Sequence, residues 1–449
     1  MKKNTKIVAT IGPASESKEK LREMAEAGMN VVRLNFSHGE HEWHEMVINR
    51  VREVSEELKR PIAILADIQG PRIRTKIEAP FHVAKGDAVF VGDISNEAEF
   101  PKTRGHWFFL DQPNIVSDIS VDDLILLEDG LLQFRVMKKE GAVLELEAIN
   151  DGEVKNRKGV NLPDSKLRLP VITEKDAKDI RFVVGHGVDY VGLSFVGNAE
   201  DIRSARALMA EGGLAESALP KIVAKIERKE AVKNLNEIVH EADAVMVARG
   251  DLGIELPETR VAILQKEIIA ASLSAVRPVI VATQMMKSMT ENPRPTRAEV
   301  SDVTNAVIDH ADAVMLSEES AMGKYPVETI RTMSEIIAST EESPFDNVYQ
   351  TIGMNLRSEY ATMVRSVYEL AKSYDAEIIL LMSESGFTAR LMSHFRPDSR
   401  LFVATNNAKA WNRMALFWGV DATLFADNTQ LDGIIDRLIE KLLAEGKVK

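Results

Sequence analysis

In a β-strand, residues two apart point the same way. In the run Ile222–Glu227 this puts Lys225 and Glu227 on one face and Ala224 and Ile226 on the other. A helix-length segment follows. A second β-branched run, Ala244–Gly250, then leads into Arg249-Gly250-Asp251-Leu252-Gly253. This is the outline of a β-α-β unit. It brings one lysine and two carboxylates to one end of a parallel sheet. Mg²⁺ is held in this way, by one or two carboxylates together with substrate phosphate oxygens. A lysine beside it stabilises charge on a phosphoryl group in transfer. A lone Lys-x-Glu reads more readily as a strand ending in solvated charges; the glycine-flanked Asp251 on the next strand favours chemistry.

A second polar face lies nearer the start. In Val31–Ser37, Arg33, Asn35 and Ser37 fall on one side, with Leu34 and Phe36 on the other. Three polar residues on one face are unusual for a strand buried on both sides. A third strand, Ile62–Ile68, ends at Asp67.

These residues need a scaffold. The periodicity predicts strands at Thr5–Ile11, Val31–Ser37, Ile62–Ile68, Tyr190–Phe195, Ile222–Glu227, Ala244–Gly250, Val279–Met285 and Ala313–Ser317. Helical patterns separate them, including Ser17–Ala27 with Gly28 as its stop, His41–Leu58 and Val327–Ser339. Eight such units are the count of a TIM (β/α)8 barrel, whose active sites lie at the C-terminal ends of the strands. Every polar feature above falls there.

Residues 72–169 break the rhythm with short alternating runs, such as Leu132, Phe134 and Val136, then Leu144, Leu146 and Ala148 around a turn at Lys139-Glu140-Gly141. They predict an inserted all-β domain, a small barrel or sandwich. The barrel then comprises 1–71 and 170–343. Glu341-Glu342-Ser343-Pro344 reads as a linker to a C-terminal α/β domain, 344–449, with strands at Ile378–Met382, Leu401–Ala404 and Thr423–Phe425.

The chain has 449 residues, with 69 acidic against 56 basic side chains, so no general affinity for nucleic acid or an anionic membrane is expected. It has no cysteine, which excludes disulfides, thiolate catalysis and zinc–thiolate sites. No signal peptide or membrane span is legible, and the cytoplasm is the default compartment.

Several stretches together resemble the pyruvate kinase family. They are TKIVATIGPAS (5–15), MNVVRLNFSHG (29–39), AKIERKEAV (224–232), VMVARGDLG (245–253), VATQMMKSM with NPRPTRAEVSDVTNAV (281–307), and MLSEESAMGKYPVE (315–328). The resemblance implies a barrel, a β-domain acting as a lid, and a C-terminal α/β domain. It implies phosphoryl transfer from phosphoenolpyruvate to ADP, Mg²⁺ as the divalent metal with Mn²⁺ as an alternative, and a homotetramer.

Residue roles follow from the same resemblance. Glu227 and Asp251 match the Mg²⁺ ligands. Lys225 matches the lysine that stabilises the moving phosphoryl group, and Arg33 the arginine that grips it. Gly250 and Asp251 match the turn that receives the substrate carboxylate; Ser317 joins the substrate set. Thr283 matches the threonine near the enol carbon. Arg74, Lys158, His38 and Asn35 match nucleotide-side positions. Asn35, Ser37, Asp67 and Ile68 match positions around a monovalent cation.

The chain also departs from the pattern. Ile68, Gln69 and Arg72 stand where K⁺-dependent members have threonine, lysine and glutamate. Arg72 then acts as an internal substitute for the ion, and K⁺ is expected to be unnecessary. Glu318 replaces a usual glycine, and Lys287 a common glutamate. In Ser383-Glu384-Ser385-Gly386-Phe387-Thr388, Glu384 and Phe387 stand where basic residues are common, and the third domain reads as shortened. Two other readings stay open here: a non-catalytic sensor of phosphoenolpyruvate or nucleotide, and a different Mg²⁺–enolate reaction on the same barrel.

Overall fold

The computed structural model describes residues 3–98, 100, 105–346, 359–426 and 433–448. Eight parallel strands close into a barrel: Lys6–Thr10, Val31–Asn35, Ala63–Ile68, Tyr190–Leu193, Lys221–Ile226, Ala244–Ala248, Val279–Ala282 and Ala313–Leu316. All eight expected strands form, and each pairs with its neighbours in chain order. Several are shorter than expected at their C-terminal ends, because the residues there turn out of the ladder to face the barrel mouth.

Alternation along each strand sorts the side chains. Ile7, Ala9, Val32, Leu34, Ala224 and Ile226 pack outward in the core between sheet and helices. Val8, Val31, Leu65, Val223, Met246 and Ile280 belong to a second core cluster, which fills the barrel interior and continues into the C-terminal domain. The register aligns Thr10 with Arg33 and Asn35 with Asp67. The face that carries Val8 therefore carries Thr10; that of Val31 carries Arg33; that of Leu65 carries Asp67; that of Val223 carries Lys225. The interior is apolar through its depth and polar at its C-terminal rim.

The helices begin and end where the sequence signals them. Ser17 caps Lys18–Ala27, and Gly28 stops it at φ 126°, a conformation that L side chains rarely adopt. The helix His41–Glu57 has Leu58 as its C-cap. The last barrel helix is longer than expected, Pro326–Glu341, and takes in the first residue of the stretch read as a linker. Glu341 is not a connector. Its carboxylate accepts the backbone N–H groups of Asn4 and Thr5, each at 2.7 Å, and the Thr5 hydroxyl at 2.7 Å.

The insertion is a closed seven-stranded barrel rather than a sandwich. Leu132, Phe134, Val136, Leu144, Leu146 and Ala148 are all buried in its core. It meets the main barrel's mouth through Lys229 Nζ and Asp164 Oδ1, 3.1 Å apart. Among the described residues the C-terminal domain carries three parallel strands, Ile378–Met382, Arg400–Thr405 and Val420–Leu424, in chain order. It attaches at the opposite end. Tyr190, at the start of its strand, donates its hydroxyl to the Arg413 carbonyl at 2.8 Å, and Lys6 Nζ reaches the Val420 carbonyl at 2.9 Å. The rim thus stays open on the side the small barrel faces. Among the described residues no helix is long and apolar enough to cross a membrane.

Candidate active site

Six charged or hydroxyl side chains converge at the rim. Asp67, which is 2% exposed, receives Arg33 on Oδ2 at 2.5 Å from Nη2 and 2.7 Å from Nε. Its Oδ1 lies 3.2 Å from Lys225 Nζ. Lys225 also lies 3.2 Å from Glu227 Oε2, and donates to Ser194 Oγ at 2.7 Å. The remaining Arg33 terminus donates to Thr10 Oγ1 at 2.9 Å.

The electrostatics follow from this packing. Burial pushes the Asp67 carboxyl up, but Lys225 and Arg33 outweigh it and hold it below the usual carboxylate value. Burial pulls Lys225 down, and the Asp67, Glu227 and Asp251 carboxylates outweigh that, so the ammonium is held above the ordinary lysine value. Glu227 differs. Burial, aided by Asp251 and opposed by Lys225, drives its carboxyl up to about 7. It is short of positive charge.

That shortage is the test for a divalent metal. Glu227 Oε1 accepts the Phe195 N–H at 2.7 Å, whereas buried Oε2 has no hydrogen bond. A buried oxygen whose described partner is the Lys225 ammonium alone, at 3.2 Å, beside the further carboxylate of Asp251, fits a hard cation. Among the described residues no group of three or more His, Cys, Asp or Glu is set for a metal. Two carboxylates suit Mg²⁺, which keeps waters and substrate phosphate oxygens as its other ligands.

Asp251 sits in the first turn of the short helix Arg249–Glu255. The preceding Gly250 N–H donates to Thr283 Oγ1 at 2.9 Å. Thr283 follows the seventh strand with φ 68°, and Gln284 has φ 55°. A β-branched residue in the left-handed region is an outlier that its surroundings must hold. Arg249 supplies that hold. It donates to the Thr283 carbonyl at 2.6 Å and pairs with Asp302 at 2.7 Å. The Thr283 hydroxyl proton has no acceptor among the described residues. Ser317 follows the eighth strand, its N–H on buried Glu319 at 2.7 Å, and Glu318 beside it is exposed.

The other residues singled out in the sequence fall in separate places. Arg74 lies on a strand of the small barrel that pairs with Gly159, and Lys158 immediately precedes that residue. Lys158 Nζ is bound to Glu128 at 2.6 Å. His38 is exposed at the rim and its carbonyl accepts His44 Nε2 at 3.0 Å. Asn35 Oδ1 accepts the Ser37 N–H at 3.1 Å, and the Ile68 carbonyl accepts Ser194 Oγ at 2.7 Å. Arg72 is exposed. Its carbonyl accepts Gln112, and no described contact joins its side chain to Asp67. In the third domain Phe387 packs edge-on against Tyr360 with Arg390 over its ring.

Sequence reasoning passed over Thr10, Ser194 and Arg249. Each is a polar residue at or just past the end of an apolar barrel strand, the signal that singled out Lys225 and Asp67.

The same arrangement of domains is found in known proteins. A model of the pyruvate kinase barrel domain matches residues 2–330, and one of the pyruvate kinase alpha/beta domain matches 361–449. The chain belongs to the pyruvate kinase family. Pyruvate kinase from Geobacillus stearothermophilus is 41% identical over 455 residues, spanning 100% of this chain and 76% of that protein. The Bacillus licheniformis pyruvate kinase is 40% identical over 457 residues, with the same coverage. A crystal structure of a pyruvate kinase from Cryptosporidium parvum superposes with a TM-score of 0.93 at 30% identity, covering 100% of this chain and 92% of that one. A chain of the pyruvate kinase family is a phosphotransferase, and the rim cluster is where its chemistry is sought.

Proposed function

We propose that this chain moves a phosphoryl group from phosphoenolpyruvate to ADP, as the last step of glycolysis, and that the rim cluster is where it does so. The bond from phosphorus to the enol oxygen breaks, and a bond to a terminal phosphate oxygen of ADP forms. The enolate left behind takes a proton at its terminal carbon, giving pyruvate. The observation that carries this reading is the buried convergence of Arg33, Asp67, Lys225 and Glu227 at the C-terminal rim of the barrel.

Each residue has a role in the proposal. Arg33 and Lys225 bind the phosphoryl oxygens, and Lys225 stabilises the charge that grows as the group leaves. Asp67 orients both cations. Glu227 and Asp251 would hold Mg²⁺, or Mn²⁺ in its place; the ion, when bound, neutralises phosphate charge and orients the transferring group. Gly250 and Asp251 receive the substrate carboxylate, with Ser317 nearby. The Thr283 hydroxyl, its oxygen held by Gly250, presents its proton toward the site for the relay to the enolate. Arg74, Lys158, His38 and Asn35 bind ADP. Lys158 has to leave Glu128 to do so.

The finer readings belong to the same proposal. Turnover does not need K⁺, because Ile68 offers no side-chain oxygen and Arg72 supplies a permanent positive charge. Asn35, Ser37, Asp67 and Ile68 then stand at the position that takes a monovalent cation in other members, without turnover depending on one there. Three domains are bounded at 1–71 with 170–343, 72–169 and 344–449. The chain works in the cytoplasm as a homotetramer, which sedimentation velocity checks. Steady-state turnover with and without ADP, Mg²⁺ and K⁺ tests the whole. Pyruvate formed without ADP would end the phosphotransfer reading.

A further inference from the structure

Ser194 follows the fourth barrel strand and is 2% exposed. Its hydroxyl lies between two elements that never pair with each other. On one side is the Ile68 carbonyl oxygen, closing the third strand, at 2.7 Å. On the other is Lys225 Nζ, on the fifth strand, also at 2.7 Å. A carbonyl oxygen can only accept, and an ammonium can only donate. The hydroxyl proton must therefore point at Ile68, and a lone pair at Lys225. Its orientation is determined from both ends.

Lys225 has three N–H donors. Three oxygens surround it: Asp67 Oδ1 and Glu227 Oε2, each at 3.2 Å, and Ser194 Oγ at 2.7 Å. The neutral acceptor is the nearest. Coulombic attraction alone has no strong directionality and leaves the ammonium free to slide between two carboxylates. A short hydrogen bond of fixed direction removes that freedom.

The next residue does the matching task for the carboxylate. Phe195 has φ 59°, and its N–H donates to Glu227 Oε1 at 2.7 Å. The turn after the third strand makes room. Gly70 has φ 73°, and a Cβ there would stand 2.8 Å from Phe195 Cδ2 and 3.1 Å from Ser194 Cβ. A strained turn is thus kept tightly packed behind the two groups of the fifth strand.

We infer that Ser194 is the positioning residue of Lys225, setting where the ammonium stands when a phosphoryl group arrives. It touches no substrate itself. This rests on the phosphotransfer reading of Lys225, so the unmutated chain is assayed first. If it forms no pyruvate from phosphoenolpyruvate and ADP, that reading fails whatever Ser194 does. If it does, Ser194→Ala and Ser194→Cys are compared with it. Alanine removes the acceptor, and cysteine, slightly larger than serine, keeps an atom in its place but offers only a weak acceptor. Both are expected to lose about tenfold or more in kcat, roughly 1.4 kcal/mol of barrier, with the KM for ADP within about twofold and the melting temperature little changed. Should the alanine variant not fold, the cysteine variant decides alone. Kcat within about twofold of the parent in a folded variant overturns the inference. So does a loss in which kcat and ADP affinity fall together with the melting temperature, since that marks a packing role.

Discussion

Arg33 and Lys225 are held by opposite oxygens of one buried carboxylate. Asp67 Oδ2 takes the guanidinium at 2.5 Å and Oδ1 the ammonium at 3.2 Å. The two cations would repel across so short a gap, and neither has much access to water. Asp67 compensates both, which makes it structural and electrostatic at once. Asp67→Ala leaves two poorly solvated cations sharing less counter-charge. Breaking a buried pair in this way costs on the order of 3–5 kcal/mol. Urea denaturation at neutral pH is expected to show that loss, with turnover collapsing in parallel. A midpoint unchanged from the parent would show that water or the other carboxylates take over.

Lys225→Met keeps an unbranched side chain only one atom shorter and removes its charge. The charge matters most as the phosphoryl group leaves the enol oxygen, so the cost is expected in kcat. Steady-state kinetics in both substrates separate the terms. A defect confined to the KM for phosphoenolpyruvate would mean that the lysine only binds the ground state.

Glu227→Gln replaces a candidate metal ligand by a neutral amide. Turnover is expected to be nearly abolished and phosphoenolpyruvate binding to weaken, because metal and substrate are bound together. Direct titration with Mn²⁺, followed by its paramagnetic effect on water relaxation, gives a readout apart from activity. Unchanged Mn²⁺ affinity would remove Glu227 from the ligand set.

The potassium proposal turns on Ile68 and Arg72. Substantial turnover is expected in tetramethylammonium salts free of K⁺ and NH₄⁺, and Arg72→Glu is expected to create a K⁺ requirement. Arg72 is exposed, so its charge must act after the small barrel moves or from a distance. Activation of the unmutated chain by KCl of about tenfold or more, roughly 1.4 kcal/mol, would show that Arg72 does not stand in for the ion.

His44 gives a pH dependence of stability. It is fully buried, stacked on Phe36 with ring centroids 3.9 Å apart. Burial, opposed by its hydrogen bond to the His38 carbonyl, lowers it from 6.5 to about 4. Between those values the unfolded chain binds more protons than the folded one. The contribution of His44 is therefore complete above pH 6.5 and lost as the pH falls toward 4. His44→Phe keeps a stacked ring without the titration. Urea midpoints measured across that window are expected to fall less steeply for the variant. Parallel slopes would assign the acid sensitivity elsewhere, with His394, also lowered to about 4, the next residue to replace.

Much of this molecule was legible in one dimension. Short β-branched runs, whose side chains alternate between two buried faces, marked the eight barrel strands, because each buries one face against helices and the other in the barrel. The same alternation exposed the functional residues: a buried strand has no use for Arg33, Asp67 or Lys225 unless something polar waits at its end. Turn chemistry located Gly28 and Gly141. The inserted domain was readable as all-β, since its core is built from short alternating runs.

What stayed hidden depends on which strands become neighbours. That Asp67 divides itself between Arg33 and Lys225 follows from barrel closure, which sets strands far apart in sequence round one rim. The role of Ser194 could not be read, because a serine ending a strand is ordinary until its lone pair meets a lysine from the next strand. Glu341 looked like a linker residue because charge runs often are; three donors from the chain's start made it part of the barrel. Arg72 shows the opposite failure. Its charge is plain in sequence, but electrostatic effect falls with distance and solvent, and only the fold decides those. Sequence by itself determined which residues have the chemistry. The tertiary structure decided which of them act on one another, because hydrogen bonds and buried charge pairs are contacts of a few ångströms that strand register alone brings about.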